Sequence, residues 1–118
     1  MIAFPGDVDK CIGLCSDCAR ICTETVMYCL EQGGEHTSPT HIRLMLDCAA
    51  VCQLTADLML RDSDFATQIA ATCGVIAQQC AEDCARFTDD AQMQRRADAC
   101  RAAAQACYGM SGRMRNAA

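Results

Sequence analysis

The chain has 118 residues, 52% hydrophobic and 21% charged, so it is long enough for one folded domain and too apolar for a disordered segment. Its formal net charge is −5, and its nine arginines and one lysine are spread along the chain, which argues against a nucleic-acid or anionic-membrane partner. Cysteine is the unusual component, with 12 residues, a content typical of disulfide scaffolds and metal sites.

The start of the chain indicates the cellular compartment. Residues 1–7 have neither the basic region nor the apolar stretch of a signal peptide, and no run of about 18 apolar residues occurs that could span a membrane. We therefore expect a cytoplasmic protein. Because cytosolic thiols are kept reduced, so many cysteines favour metal binding or catalysis over disulfide bonds.

Four long segments lack internal proline and are rich in residues that favour helix, such as Ala, Leu, Gln, Arg and Met. Gly33-Gly34 is a typical helix end, and Ser38-Pro39 is a typical start with serine as N-cap. Further breaks come near residues 61–64 and 88–90, where Ser, Thr or Asp can cap the next helix. We predict a single all-α domain over 1–118, an antiparallel up-down-up-down four-helix bundle with helices at roughly 8–32, 39–61, 64–87 and 90–112.

The inward seam of each helix in such a bundle repeats in steps of three and four residues, and every cysteine falls on one of these seams. Chance would place only about two-sevenths of them there. The seam positions are Cys11, Cys15, Cys18, Cys22, Thr25 and Cys29 in the first helix, His41, Met45, Cys48, Cys52, Thr55 and Met59 in the second, Cys73, Ala77, Cys80 and Cys84 in the third, and Met93, Ala97, Cys100, Ala104, Cys107 and Met114 in the fourth.

Two structural explanations compete with metal binding. Cysteine is a small hydrophobic residue that is often buried, but this explains one or two core thiols better than twelve. Neighbours on one helix have Cβ atoms about 5–6 Å apart, whereas a disulfide needs about 3.5–4.5 Å, so only bonds between helices are feasible. Five of the twelve cysteines lie on one helix, which disfavours a disulfide framework.

The soft ligands available here select Cu(I), Zn²⁺ or iron–sulfur clusters. Twelve thiolates could hold about three Zn²⁺ ions, but each Zn(Cys)₄ site carries about −2, which is costly in an apolar interior. The C-x₂-C motif Cys15–Cys18 lies within a predicted helix, which disfavours an iron–sulfur loop. Cu(I) accepts two or three soft ligands and is neutral with one thiolate per ion, so the interior favours several Cu(I) ions, on the order of twelve.

The cysteines form the series Cys11-x₃-Cys15-x₂-Cys18-x₃-Cys22-x₆-Cys29, Cys48-x₃-Cys52, Cys73-x₆-Cys80-x₃-Cys84 and Cys100-x₆-Cys107. This set, over about residues 8–112, resembles the bacterial copper storage proteins. The resemblance implies many thiolate-bridged Cu(I) ions inside each bundle, a homotetramer and, for members without a signal peptide, a cytosolic location. Cytosolic members often carry more cysteines, so buffering or delivery of copper stays open beside bulk storage.

One end of the bundle is predicted to admit copper. The topology brings together the end of the first helix, the start of the second, the end of the third and the start of the fourth. The residues placed there are Cys29, His41, Met45, Cys84 and Met93. Family members admit copper near Met or His, so the resemblance implies His41, Met45 and Met93 as ligands, with His36 a weaker candidate. Core packing is the alternative role for the methionines.

Two further surfaces follow from the same helical pattern. The opposite end of the bundle is expected to be an apolar plug, made by Met59, Phe65, Met110 and Met114. An outward Ala/Leu face of the second helix, with Leu44, Val51 and Leu58, is compatible with a tetramer.

The sequence shows no acid–base pair, phosphate loop or catalytic triad, so we do not expect an enzyme. We expect a cytoplasmic protein that stores or buffers several Cu(I) ions through its twelve cysteines, with a copper chaperone or acceptor as partner. An iron–sulfur electron-transfer protein of the ferredoxin type and a zinc or heavy-metal thiolate protein are the alternatives.

Overall fold

The four segments fold as long α-helices in the computed structural model, which describes the backbone of residues 5–117 and the side chains of residues 6–111. The elements are α1 (Pro5–Gln32), a short 3-10 helix (Gly34–Thr37), α2 (Pro39–Leu60), α3 (Ala66–Ala85) and α4 (Ala91–Ala117). No strand occurs within residues 5–117. In that same part of the chain, no helix combines the length and apolar character needed to cross a membrane.

Each helix packs on the next one in the chain, and α4 also packs on α1, so the four helices close around one axis. Because the connections are short, consecutive helices run antiparallel. The molecule measures 47 × 20 × 19 Å, and its long axis agrees with the length of about 42 Å expected for the 28 residues of α1. The predicted all-α, up-down-up-down bundle is confirmed.

The connection between α1 and α2 follows the predicted capping pattern. Gly33 and Gly34 have φ angles of 74° and 59°, a left-handed conformation that glycine adopts without steric cost. The Ser38 hydroxyl accepts a hydrogen bond from the His41 backbone N–H, and Pro39 occupies the first turn of α2. This cap fixes the backbone at the start of α2, where His41 is located.

The turn between α2 and α3 makes α3 start later than predicted. Asp62 has a φ of 51°, which reverses the chain, and the Ser63 hydroxyl accepts a hydrogen bond from the Phe65 backbone N–H. Ser63 therefore acts within the turn rather than as the cap of a helix that begins at residue 64. The first residue of α3 is Ala66.

The other helix ends also differ from the predicted ranges. Residues 86–90 form the connection to α4, and Asp90 caps that helix because its Oδ1 accepts hydrogen bonds from the Gln92 and Met93 backbone N–H groups. The first helix begins earlier, at Pro5, because proline is accepted in a first turn. Residues 1–4 and 118 of the predicted domain, and the Met114 side chain, lie outside the described residues.

The bundle core consists mainly of cysteine, alanine and methionine side chains, and all twelve cysteines are part of it. Two sequence expectations about large apolar side chains are wrong. Leu58 is buried, and Leu44 and Val51 are half-buried against the core, because this face of α2 packs on the neighbouring helices rather than pointing outward. Phe65 is 64% exposed and contributes nothing to an apolar plug, because it lies in the turn before α3.

Candidate metal centre

All twelve cysteine sulfurs point into the bundle. Every cysteine side chain is at most 2% exposed, and all twelve are free thiols. The predicted inward seam is therefore confirmed, and a disulfide framework is excluded for this structure. Because the thiols are buried in the same interior, neighbouring sulfurs can bind the same metal ion.

The densest group is the four-cysteine cluster of Cys18, Cys22, Cys48 and Cys100, whose sulfurs all lie within 4.8 Å of one another. Cys18 Sγ is 3.9 Å from Cys22 Sγ, 3.9 Å from Cys48 Sγ and 3.7 Å from Cys100 Sγ. Three helices supply these residues, so the cluster depends on the packing of the bundle rather than on a local loop.

A second group, the three-cysteine cluster of Cys11, Cys15 and Cys107, lies toward the start of α1. Cys15 Sγ is 3.5 Å from Cys107 Sγ and 4.0 Å from Cys11 Sγ. Between the two clusters, Cys52 Sγ lies 3.6 Å from Cys73 Sγ. Metal–thiolate bonds of about 2.3 Å let two sulfurs up to about 4.6 Å apart share one ion, so all these pairs are close enough to bridge a soft metal.

Hydrogen bonds between the thiols divide them by acidity. Hydrogen bonds with Cys107 and Cys15 lower the pKa of Cys11 to about 4, and bonds with Cys100 and Cys22 lower the pKa of Cys18 to about 5. The partner thiols hold the proton instead, so hydrogen bonding with Cys100 and Cys18 raises the pKa of Cys22. Each cluster thus contains a sulfur that is stabilised as a thiolate, the form that binds metals.

The end of the bundle where Cys29, His41 and Met93 meet, here called the mouth, has mixed ligands. Cys29 Sγ is 3.3 Å from His41 Nε2 and 3.9 Å from Met93 Sδ, and all three side chains are buried. Burial, with a further contribution from Cys84, raises the pKa of Cys29 to about 11. Met45 is fully buried one helical turn further along α2.

The structure places His36 in a different environment. Its Nε2 lies 3.0 Å from Asp90 Oδ2, which also accepts a hydrogen bond from the Tyr28 hydroxyl. Its ring stacks on Phe87 at 4.1 Å between ring centroids. The His36 ring nitrogen therefore faces a carboxylate rather than a sulfur.

Sequence reasoning missed two residues at the mouth. The Asp83 carboxylate pairs with His41 Nδ1, and the Phe87 ring packs on the His41 ring at 5.1 Å between centroids. Asp83 lies off the cysteine seam near the end of α3, so the seam pattern did not include it. The one available signal was its proximity in sequence to Cys84, a residue already placed at this end.

A sulfur-lined interior with one imidazole and one thioether at its end fits soft, monovalent metal ions. A family model described as copper storage protein matches residues 6–112 of the chain. The chain belongs to the copper storage protein family. The prediction made from the cysteine spacing is confirmed.

Individual relatives of this copper storage protein agree with the assignment. The uncharacterized cysteine-rich protein YhjQ of Bacillus subtilis is 34% identical over 82 residues, which cover 70% of this chain and 76% of YhjQ. The structure of the Cu(I)-bound copper storage protein BsCsp3 is 33% identical, with a TM-score of 0.82, covering 89% of this chain and 98% of that one. A cytosolic copper storage protein from Streptomyces lividans, loaded with five coppers, is 29% identical, with a TM-score of 0.77 and coverages of 91% and 93%.

Proposed function

We propose that this chain is a cytoplasmic, non-enzymatic storage protein that holds several Cu(I) ions inside its bundle. The single observation that carries the proposal is the set of twelve buried free thiols, whose sulfur–sulfur contacts are 3.5–4.0 Å long. Cu(I) accepts two or three such ligands, and one thiolate per ion keeps the interior neutral. The Cu(I)-bound relatives support copper as the cargo.

We assign copper binding to the seam residues as a set. The mouth side chains supply the position where copper enters, because they combine a buried thiol with an imidazole and a thioether near the end of the bundle. The proposed ligands are Cys11, Cys15, Cys18, Cys22, Cys29, Cys48, Cys52, Cys73, Cys80, Cys84, Cys100, Cys107, His41, Met45 and Met93.

Two finer parts of the proposal concern partners. The homotetramer rests on the resemblance to the family, and exposed leucines on α2 (Leu46, Leu54 and Leu60) offer apolar surface that a second copy could cover. We also propose that a copper chaperone or acceptor exchanges ions with the protein. Soft thiolate ligands on both proteins would allow that exchange without releasing free copper.

Titration with Cu(I) in the presence of a chromophoric Cu(I) chelator tests the proposal. Saturation on the order of twelve ions per chain, one per thiolate, supports storage. Saturation at one to three ions contradicts it.

The four-cysteine cluster favours one second candidate, because four sulfurs within 4.8 Å of one another also suit tetrahedral Zn²⁺. The charge of about −2 on a Zn(Cys)₄ site makes this less favourable in an apolar interior. Replacement of Zn²⁺ by Co²⁺ separates the two candidates, since a tetrahedral Co²⁺–thiolate site absorbs visible light. Strong absorbance that persists against one equivalent of Cu(I) would favour the zinc candidate.

A further inference from the structure

The His41 ring is constrained on three sides. Its Nδ1 faces Asp83 Oδ2, its Nε2 lies 3.3 Å from Cys29 Sγ, and Phe87 packs on its face. The ring itself is fully buried. Because the Ser38 cap also holds the His41 backbone, the imidazole has one well-defined orientation with its two nitrogens facing different partners.

Asp83 is itself held in place from the solvent side. Its second oxygen, Oδ1, accepts hydrogen bonds from Arg86 Nε at 2.9 Å and from Arg86 Nη2 at 2.7 Å. The carboxylate is 17% exposed, so it lies between the solvated guanidinium and the buried imidazole. Two charge-assisted hydrogen bonds from one guanidinium hold this oxygen in place and offset the charge of the carboxylate.

The partners of the two ring nitrogens determine where the single proton of a neutral imidazole lies. A carboxylate at Nδ1 accepts the Nδ1–H bond, which leaves the lone pair on Nε2 directed toward Cys29 Sγ. A carboxylate behind a metal-binding histidine also makes the far nitrogen a stronger ligand. When Cu(I) binds here, the Cys29 thiol loses its proton to solvent, a Cu–S bond forms, and Nε2 donates its lone pair to the same ion.

We infer that Asp83 is a positioning residue for copper at the mouth, which sets the tautomer and orientation of His41 so that Nε2 and the Cys29 sulfur bind the same Cu(I) ion. This inference rests on the proposed function. It assigns a specific role to a carboxylate that does not touch the ion. In the interior clusters the cysteine side chains contact one another sulfur to sulfur, so this carboxylate–imidazole arrangement distinguishes the mouth from those clusters.

The test uses the full chain with Asp83→Ala, which removes the acceptor, and Asp83→Asn, which keeps an acceptor but removes its charge. Asp98→Ala is the matched control, because Asp98 forms the same kind of i,i+3 pair with Arg101 on an exposed surface away from any histidine. The ring nitrogens of His41 are observed by ¹⁵N NMR in the copper-free protein. Cu(I), a diamagnetic ion, is then titrated against a competing chelator while the His41 ring signals are followed.

We expect wild-type His41 to carry its proton on Nδ1 and Asp83→Ala to lose this preference. The Cu(I) affinity reported by His41 should fall about 10-fold or more in Asp83→Ala and by a smaller factor in Asp83→Asn. Asp98→Ala should match the wild type in both measurements. A change in the tautomer without a change in affinity, or the reverse, overturns the inference. If Asp83→Ala does not fold, an unchanged affinity in Asp83→Asn overturns it as well.

The outcomes for storage and for positioning are separable. The tautomer is measured without copper, and the affinity at His41 concerns one ion. A wild type that saturates below four ions contradicts storage whatever the Asp83 variants do. A wild type that stores many ions, with Asp83 variants equal to it, contradicts the positioning role alone.

Discussion

The interior clusters and the mouth of the same bundle are built on different principles. The four-cysteine cluster surrounds its centre with one ligand type from three helices, and its sulfurs touch one another. The mouth combines Cys29, His41 and Met93, with Asp83 behind the histidine. Sulfur alone suits dense packing of neutral Cu(I)–thiolate units, whereas a mixed set with an oriented imidazole suits the capture of one ion at a time.

From this difference we infer that capacity and admission depend on separate residues. Removing interior thiols should change how many ions are held. Changes at the mouth should alter the rate or the affinity with which the first Cu(I) ion binds, with little effect on the total number of ions held. The experiments below test that division, beginning with the largest expected effect.

Replacing the four-cysteine cluster with serine should remove about four ions from a capacity on the order of twelve, because a hydroxyl is a poor Cu(I) ligand. Buried serine can bond to the carbonyl four residues earlier, as Thr25 does with Ile21, so the helices should persist. The change is Cys18→Ser with Cys22→Ser, Cys48→Ser and Cys100→Ser, measured by Cu(I) titration and circular dichroism.

The three-cysteine cluster provides the paired experiment for this prediction. Cys11→Ser, Cys15→Ser and Cys107→Ser together should lower the capacity by about three ions, in proportion to the thiols removed. If both folded variants saturate at the wild-type value, the thiols are not the storage ligands.

At the mouth, Met93→Leu replaces a thioether ligand with a hydrocarbon side chain of similar volume. Copper loading should become about tenfold slower. The final capacity should stay within one ion of the wild type. Met59→Leu is the matched control, since Met59 is also a buried seam methionine but lies near the opposite end of α2. Stopped-flow loading from a Cu(I)–chelator complex measures both. If both variants load copper equally slowly, copper does not enter the bundle at Met93.

Sequence periodicity predicted the interior far better than the mouth. The steps of three and four residues placed every cysteine inward because a bundle helix buries one stripe, whatever its neighbours are. The pairing of His41 with Asp83 joins the start of α2 to the end of α3, and no local pattern encodes that contact. Likewise, the turn built on Asp62 and Ser63 moved the start of α3 through hydrogen bonds that helix propensity does not contain.

Acidification should weaken copper binding at the mouth. The pKa of Cys29 is about 11, so this thiol is protonated at neutral pH and must release a proton when Cu(I) binds. The affinity should therefore fall about tenfold for each unit by which the pH is lowered between 8 and 6. Hydrogen bonds with Cys100 and Cys22 lower the pKa of Cys18, so copper binding at Cys18 should depend less on pH than binding at Cys29. Competition titrations at several pH values, read at His41, measure the slope, and a flat profile would contradict the assignment of Cys29 as the thiol that binds there.

The smallest effect is expected from replacing Asp90, which lies beside the mouth. Its carboxylate caps α4 and forms hydrogen bonds with Tyr28 and His36. Asp90→Ala should lower the free energy of unfolding by about 1 kcal/mol at pH 7, and Asp90→Asn should cost less, because asparagine still caps a helix. Desolvation raises the pKa of Asp90, but hydrogen bonds from Tyr28 and His36 outweigh it and lower the pKa overall. A carboxyl whose folded-state pKa is lowered stabilises the protein above its unfolded pKa and loses that contribution as the pH falls through the folded value.

Urea unfolding of copper-free Asp90→Ala and wild type should therefore give curves that differ at pH 7 and converge below about pH 4, the unperturbed range of aspartate. The copper capacity of both should be equal, since the hydrogen bonds of Asp90 join Tyr28, His36 and the start of α4. A loss of capacity in Asp90→Ala would mean that the mouth supports the interior sulfurs mechanically, and the division between admission and storage would then fail.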